Sequence, residues 1–263
     1  MNLQDIPEDV VACTGSVHAL HPVPQGMTSE VAIADCEKGR FVLKHSDTAP
    51  FSDWLAREYA MLLMLGEYEL PIPKTYCLVT DQRDGQLSRW LVMSVLPGEP
   101  LSAVLARHPP EVERHQLLRT FGAVLARIHA TIVPDTFSGQ PHWLDRILQE
   151  AEHNLMHFPT DGDAALLERL RKTRPRQTAH TLIHGDYTID NVMVENGRVT
   201  GIIDWGRGDW GDPRYDLVLA TERLMLEHVF LTHDDFDAFY VGYGGMHVST
   251  DEQAYFESLY EFF

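Results

Sequence analysis

Pro97-Gly98-Glu99-Pro100 separates two stretches of opposite patterning, and that change narrows the possible folds more than any other feature of the chain. Before it, "VAIADCEKGRFVLK" (31–44) alternates and turns at "EKGR", which predicts a β-hairpin ending on Lys44. Pro50 and then Ser52, a candidate N-cap, open a helix through "DWLAREYAMLLML" that stops at Gly66. Leu55, Tyr59 and Leu62 share its apolar face, with Glu58 beside them. "PIPKTYCLV" and "RWLVMSVL" predict two further strands. After the break, "EVERHQLLRTFGAVLARIHA" sets Leu117, Phe121, Val124, Leu125 and Ile128 near helical spacing. A second helical region is expected over about 143–173, and helices again from about 215. Strands first and helices second predict an α+β chain in two lobes: residues 1–97, an antiparallel sheet with one main helix, and residues 98–263, mainly helical.

The 263 residues are ample for a large core. Cys13, Cys36 and Cys77 are odd in number and lack C-x-x-C spacing, which predicts reduced thiols rather than a disulfide framework or a zinc site. The amino terminus has no basic segment followed by an apolar one, and no run approaches the ~18 apolar residues of a membrane span. A soluble cytoplasmic protein with no membrane partner is expected. A net charge of −18 argues against nucleic acid as a partner, because such binding needs Lys and Arg to neutralise phosphates. The charge suits a cationic partner, or serves solubility alone.

The densest chemistry lies in "LIHGDYTIDNVMV" (182–194), where His184, Asp186 and Asn191 form H-x-D-x-x-x-x-N between two apolar runs. Asn196-Gly197 follows as a two-residue hairpin turn, since both residues tolerate positive φ. With Glu195 opposite Arg198, Asn191 falls opposite Ile202, and Asp204 lies two residues further on the same face. Two carboxylates and an amide oxygen then gather at the open end of the hairpin. Such hard oxygen donors suit Mg²⁺, with Asn191 and Asp204 as ligands and Asp186 left as a base. Taken singly, each could instead cap a turn or close a strand.

"HGDYTIDN", "GIIDW" and "GDPRYDLVLAT" resemble the aminoglycoside phosphotransferase and choline kinase-like family, relatives of the protein kinases. The resemblance implies a two-lobed protein-kinase-like fold, with Asp186 as catalytic base and Asn191 and Asp204 as metal ligands. It also implies that Lys44 reaches the nucleotide phosphates and that Glu58 pins it. "QGMTSEV" (25–31) stands in the place of the phosphate-covering loop, where Gly26, Thr28 and Ser29 would let backbone N–H groups approach phosphate oxygens. "VMSVLPG" resembles the hinge, with Met93 preceding and the backbone of Ser94 and Leu96 available to adenine edges. Ser94 stands where relatives often carry an acid, so ATP and GTP both stay open as co-substrate. Met193 and Ile203 would sandwich the base; ideal alternation puts them on opposite faces, and a bulge near Asp204 would reconcile the two. His184 is expected to organise its loop, and Asp212 and Asp216 to brace it.

The function so implied is a small-molecule kinase that binds a nucleoside triphosphate with Mg²⁺ between its lobes. No D-F-G or A-P-E appears, "DWG" replacing the first, which disfavours a protein kinase. A non-catalytic nucleotide-binding scaffold is the alternative, and it has no need of all five polar residues. Aminoglycosides, macrolides, choline-type amines and sugars are acceptors within the resemblance; the charge favours an aminoglycoside-like amine. The acids of "THDDFDAF" and "STDEQAYFESLYEFF" either line an amine site or are solvated helix faces.

Overall fold

The computed structural model describes residues 1–23, 29–48, 51–83, 86–132, 141–227 and 230–263. They form two compact units: Met1–Gly98 with Thr200–Arg207, and Glu99–Val199 with Gly208–Phe263. Inclusion of Thr200–Arg207 in the first unit departs from a single break near residue 97. Its cause is local: the short 3₁₀ turn Trp205–Arg207 packs against the main helix of that unit. Among the described residues no helix is long and apolar enough to cross a membrane.

In the first unit, β1 (Val17–Pro22), β2 (Glu30–Cys36), β3 (Gly39–Ser46), β4 (Thr75–Arg83) and β5 (Gln86–Ser94) form an antiparallel sheet in the order β1-β2-β3-β5-β4. Cys36 pairs with Gly39, so Glu37 and Lys38 make the tight turn of the expected hairpin. One sheet face buries Ala34, Cys36, Phe41, Leu43, Val79, Trp90 and Val92 together with Val10 of α1 (Glu8–Thr14). Helix α2 (Phe51–Leu65) packs on β3, β4 and β5 and buries Leu55, Leu62 and Leu65, each worth roughly 1.5–3 kcal/mol. Ser52 is not its N-cap: it lies inside the helix, and its N–H donates to the Thr48 carbonyl. Pro71 and Pro73 stay outside β4, having no N–H to give to a ladder. Cys13, at the end of α1, forms a disulfide with Cys77 of β4. This corrects the expectation of three thiols: bare sequence spacing carries no sign that α1 and β4 meet, and Cys36 alone is free and buried.

The second unit opens with β6 (Glu99–Pro100), which pairs with β8 (Val192–Glu195), and α3 (Leu101–Leu105). Helix α4 (Glu111–His129) packs closely on α8 (His233–Tyr243). The expected helical region over 143–173 is two helices, α5 (Trp143–His157) and α6 (Ala164–Lys172). Phe158 leaves the helical conformation at φ −134°, and the Asp163 side chain caps α6 by accepting from the Leu166 N–H at 2.7 Å. Together with α7 (Pro213–Glu227) and α9 (Thr250–Tyr260), these helices enclose a core of Trp143, Leu148, Leu167, Tyr215, Leu219, Phe256 and Phe262. Strand β7 (Thr181–Ile183) pairs antiparallel with β10 (Asp209–Gly211), and β8 turns into β9 (Arg198–Ile202) at Asn196 and Gly197, whose φ values are 52° and 73°. Both positive values meet the hairpin expectation.

Candidate active site

In the first unit the functional residues gather on Lys44. Strand β3 alternates, so Lys44 faces away from the side that buries Leu43, toward α2. Its Nζ donates to both Glu58 oxygens, at 2.8 and 2.9 Å, and to Asp204 Oδ1 at 3.3 Å. Lys44 and Glu58 are 7% and 2% exposed, whereas the Asp204 side chain is 49% exposed. Burial works to lower the Lys44 pKa, but Asp204 and Glu58 outweigh it and hold the ammonium charged well above its usual range. Burial pushes the Glu58 carboxyl up, against the pull of Lys44.

Asp204 stands at φ 65°, in the left-handed region where a short polar side chain is better tolerated than a bulky one. Strand β9 has ended at Ile202, so pleat alternation does not extend to Ile203 and Asp204, and no ladder fixes Ile203 to a face. The following turn is held tightly. Trp205 is fully buried with its indole N–H on the Ile202 carbonyl at 3.1 Å, and the Arg207 guanidinium lies 5.8 Å over the Trp54 ring of α2.

Near the end of β5, Met93 is buried opposite Val42. The Ser94 N–H donates to the Lys74 carbonyl at 2.8 Å, and Ser94 Oγ accepts from the Lys74 N–H at 3.0 Å. The Ser94 N–H is thus committed to Lys74. Leu96 packs against Gly201, where an added Cβ would fall 2.2 Å from Leu96 Cδ1. Ser29, half-buried, precedes β2; Gly26 and Thr28 lie outside the described residues.

In the second unit the loop from His184 to Asn191 leaves β7 and is anchored from beneath. The fully buried carboxylate of Asp216 on α7 accepts from the N–H groups of His184 and Gly185, at 2.7 and 2.8 Å, and contacts His129 Nε2 at 3.1 Å. Gly185 has φ 79°, a value glycine adopts without strain. His184 Nδ1 accepts from the Asp186 N–H at 3.3 Å, the loop-organising contact expected of it. Asn191 Nδ2 donates to the Asp186 carbonyl at 2.8 Å and to Asp186 Oδ2 at 3.0 Å. Tyr187 stacks on Phe121 and donates its hydroxyl to the Phe121 carbonyl at 2.8 Å. Met193 sits half-buried on β8, opposite Pro100.

Asp216 braces this loop directly. Asp212 instead holds Arg214, at 2.5 and 2.9 Å, and Arg214 also pairs with Glu252 of α9. The acids of the last helices are partly committed in the same manner. Asp235 is buried on Arg114 at 2.7 Å and closes the α8 capping box, and Glu252 closes that of α9. Sequence patterning missed His129, which bridges Asp216 and the Tyr243 hydroxyl, and Tyr260, whose hydroxyl lies 3.2 Å from Asp186 Oδ1. Each contact joins residues more than seventy positions apart, beyond the reach of any local pattern.

Known phosphotransferases are similar to this chain over most of its length. The sequence profile of the phosphotransferase enzyme family matches residues 19–250. An aminoglycoside 3'-phosphotransferase of Streptomyces fradiae is 28% identical over 223 residues, which are 80% of this chain and 80% of that protein. A homoserine kinase of Neisseria meningitidis is 26% identical over 255 residues, 92% of this chain and 79% of that protein. Among solved structures, an aminoglycoside-3'-phosphotransferase of type VIII aligns with a TM-score of 0.79 at 24% identity, over 97% of this chain and 98% of that one. The fold is therefore the protein-kinase-like α+β fold of these enzymes.

Proposed function

The chain belongs to the phosphotransferase enzyme family, and on that premise we propose that it moves the γ-phosphoryl group of ATP or GTP onto a hydroxyl of a small cationic acceptor, aminoglycoside-like in character. The observation that carries this reading is the buried Lys44–Glu58 pair with Asp204 on the same ammonium. A lysine held charged in a low-dielectric setting neutralises phosphate oxygens, and Glu58 fixes its position so that little order is lost when a nucleotide binds.

Asn191 and Asp204 are the residues that would hold Mg²⁺. The donor set fits: hydrogen bonds to Asp186 commit the Asn191 amide nitrogen and leave its oxygen as the ligating atom, and the Asp204 carboxylate is half open to solvent. Mg²⁺ favours a few hard oxygen donors, and bound there it would supply positive charge against the transferring group. Asp186 accepts the proton of the attacking hydroxyl. Asp216 fixes the backbone that carries Asp186, so the base is positioned before substrate arrives.

The relatives named above are an aminoglycoside 3'-phosphotransferase and a homoserine kinase, and a net charge of −18 favours the approach of cations. Nucleotide turnover with MgATP and MgGTP against aminoglycosides, homoserine and a neutral macrolide tests the reading. An aminoglycoside is expected to be phosphorylated, with kcat/KM falling as salt rises. Turnover of the macrolide alone would contradict the acceptor assignment. Absence of Mg²⁺-dependent binding of either nucleotide by calorimetry would contradict the kinase reading itself.

A further inference from the structure

The Tyr260 hydroxyl donates to Oδ1 of Asp186 at 3.2 Å, on the carboxylate that serves the proposed reaction as proton acceptor. The backbone around Tyr260 is firmly fixed. The Glu261 carbonyl accepts from the N–H groups of Asp161 and Gly162 at 3.1 and 3.0 Å, and the Phe262 carbonyl accepts from the buried Asn154 amide at 3.0 Å. Leu259 and Phe262 are fully buried, and Gly162 lies so close that an added Cβ would stand 2.6 Å from the Phe262 ring. Four residues of α5, α9 and the turn between α5 and α6 thus aim one phenol at one carboxylate. On the other oxygen, Asn191 Nδ2 donates at 3.0 Å.

A hydroxyl donating to a carboxylate is the arrangement a general base requires with the hydroxyl it activates. We propose that Tyr260, in the absence of acceptor, occupies the hydroxyl position on Asp186 and keeps water from being activated there, ceding that position when an acceptor binds. The inference rests on the kinase reading above. Water is the competing nucleophile: its oxygen bonds to the γ-phosphorus, the bond to the bridging oxygen breaks, and one water proton passes to Asp186, giving a nucleoside diphosphate and phosphate. The Tyr260 hydroxyl donates to Asp186 Oδ1 and so fills the place from which an attacking hydroxyl would donate. Tyr260 is therefore a positioning residue that acts through Asp186.

Tyr260→Phe keeps the ring and its packing while removing the donor. Acceptor-free hydrolysis of MgATP and MgGTP is measured for the wild type, Tyr260→Phe, Asp186→Asn and the double variant, with thermal melting to confirm the fold. The single Tyr260→Phe variant should hydrolyse about fivefold faster than the wild type, the scale of one lost hydrogen bond, and the gain should vanish in the double variant. If Tyr260 merely braced the carboxylate, hydrolysis would fall instead. An unchanged or reduced rate, or a gain that survives Asp186→Asn, overturns the proposal and leaves the kinase reading standing. Loss of Mg²⁺-dependent nucleotide binding in the wild type would overturn both.

Discussion

Replacing Glu58 by Gln leaves the Lys44 ammonium buried with only the half-exposed Asp204 carboxylate on it. Breaking a buried pair by removing one partner exposes the desolvation cost of the other, about 3–5 kcal/mol. Glutamine keeps one acceptor oxygen, so chemical denaturation of Glu58→Gln should show a loss near the lower end, about 3 kcal/mol. A loss under ~1 kcal/mol would mean that Asp204 takes over the ammonium and that Glu58 does not fix it. At this scale Lys44 and Glu58 were legible because a strand end and a helix face each place a charge at a spot that local patterning defines. The left-handed turn at Asp204 was not, because a positive φ breaks the alternation from which faces are counted. Nor was the Ser94 N–H, whose partner Lys74 belongs to a segment that bare pattern ran into β4.

Helices α4 and α8 approach each other through two glycines. A Cβ on Gly122 would fall 2.1 Å from the Phe239 carbonyl oxygen, and one on Gly242 would fall 2.0 Å from that of Arg119. Backbone cannot step aside as a flexible side chain can, so Gly122→Ala must push the helices apart, at a cost of about 1–3 kcal/mol. Urea unfolding should register that loss, and unchanged stability would show the helices free to slide. Gly122 bears on the site as well: Phe121 beside it stacks on Tyr187 and receives its hydrogen bond, so α4 supports the loop that carries Asp186. Element types were readable wherever apolar periodicity ran long, as in β2, β3, α2 and α4. Boundaries were less readable where one residue decided them, as at Phe158 and Asp163, which divide α5 from α6, or at Ser52 inside the first turn of α2.

Across the whole molecule, the proposed chemistry is divided between the two units. The first supplies a charged lysine, its glutamate and Asp204; the second supplies Asp186, Asn191 and the buried Asp216 beneath them. Thr200–Arg207 belongs to the first unit although most of its sequence neighbours belong to the second, so Asp204 reaches Lys44 across 160 residues of chain. That long-range return, like the Cys13–Cys77 disulfide, depends on tertiary packing that periodicity does not encode. The proposed proton acceptor lies in the second unit, and its role can be tested at one atom. Phosphoryl transfer and MgATP or MgGTP affinity, measured side by side for the wild type and Asp186→Asn, test the central claim most directly. Loss of the base should lower transfer by roughly two to four orders of magnitude. Nucleotide affinity should stay within about tenfold, or ~1.4 kcal/mol. Undiminished transfer by Asp186→Asn, or loss of nucleotide binding along with transfer, would contradict the account.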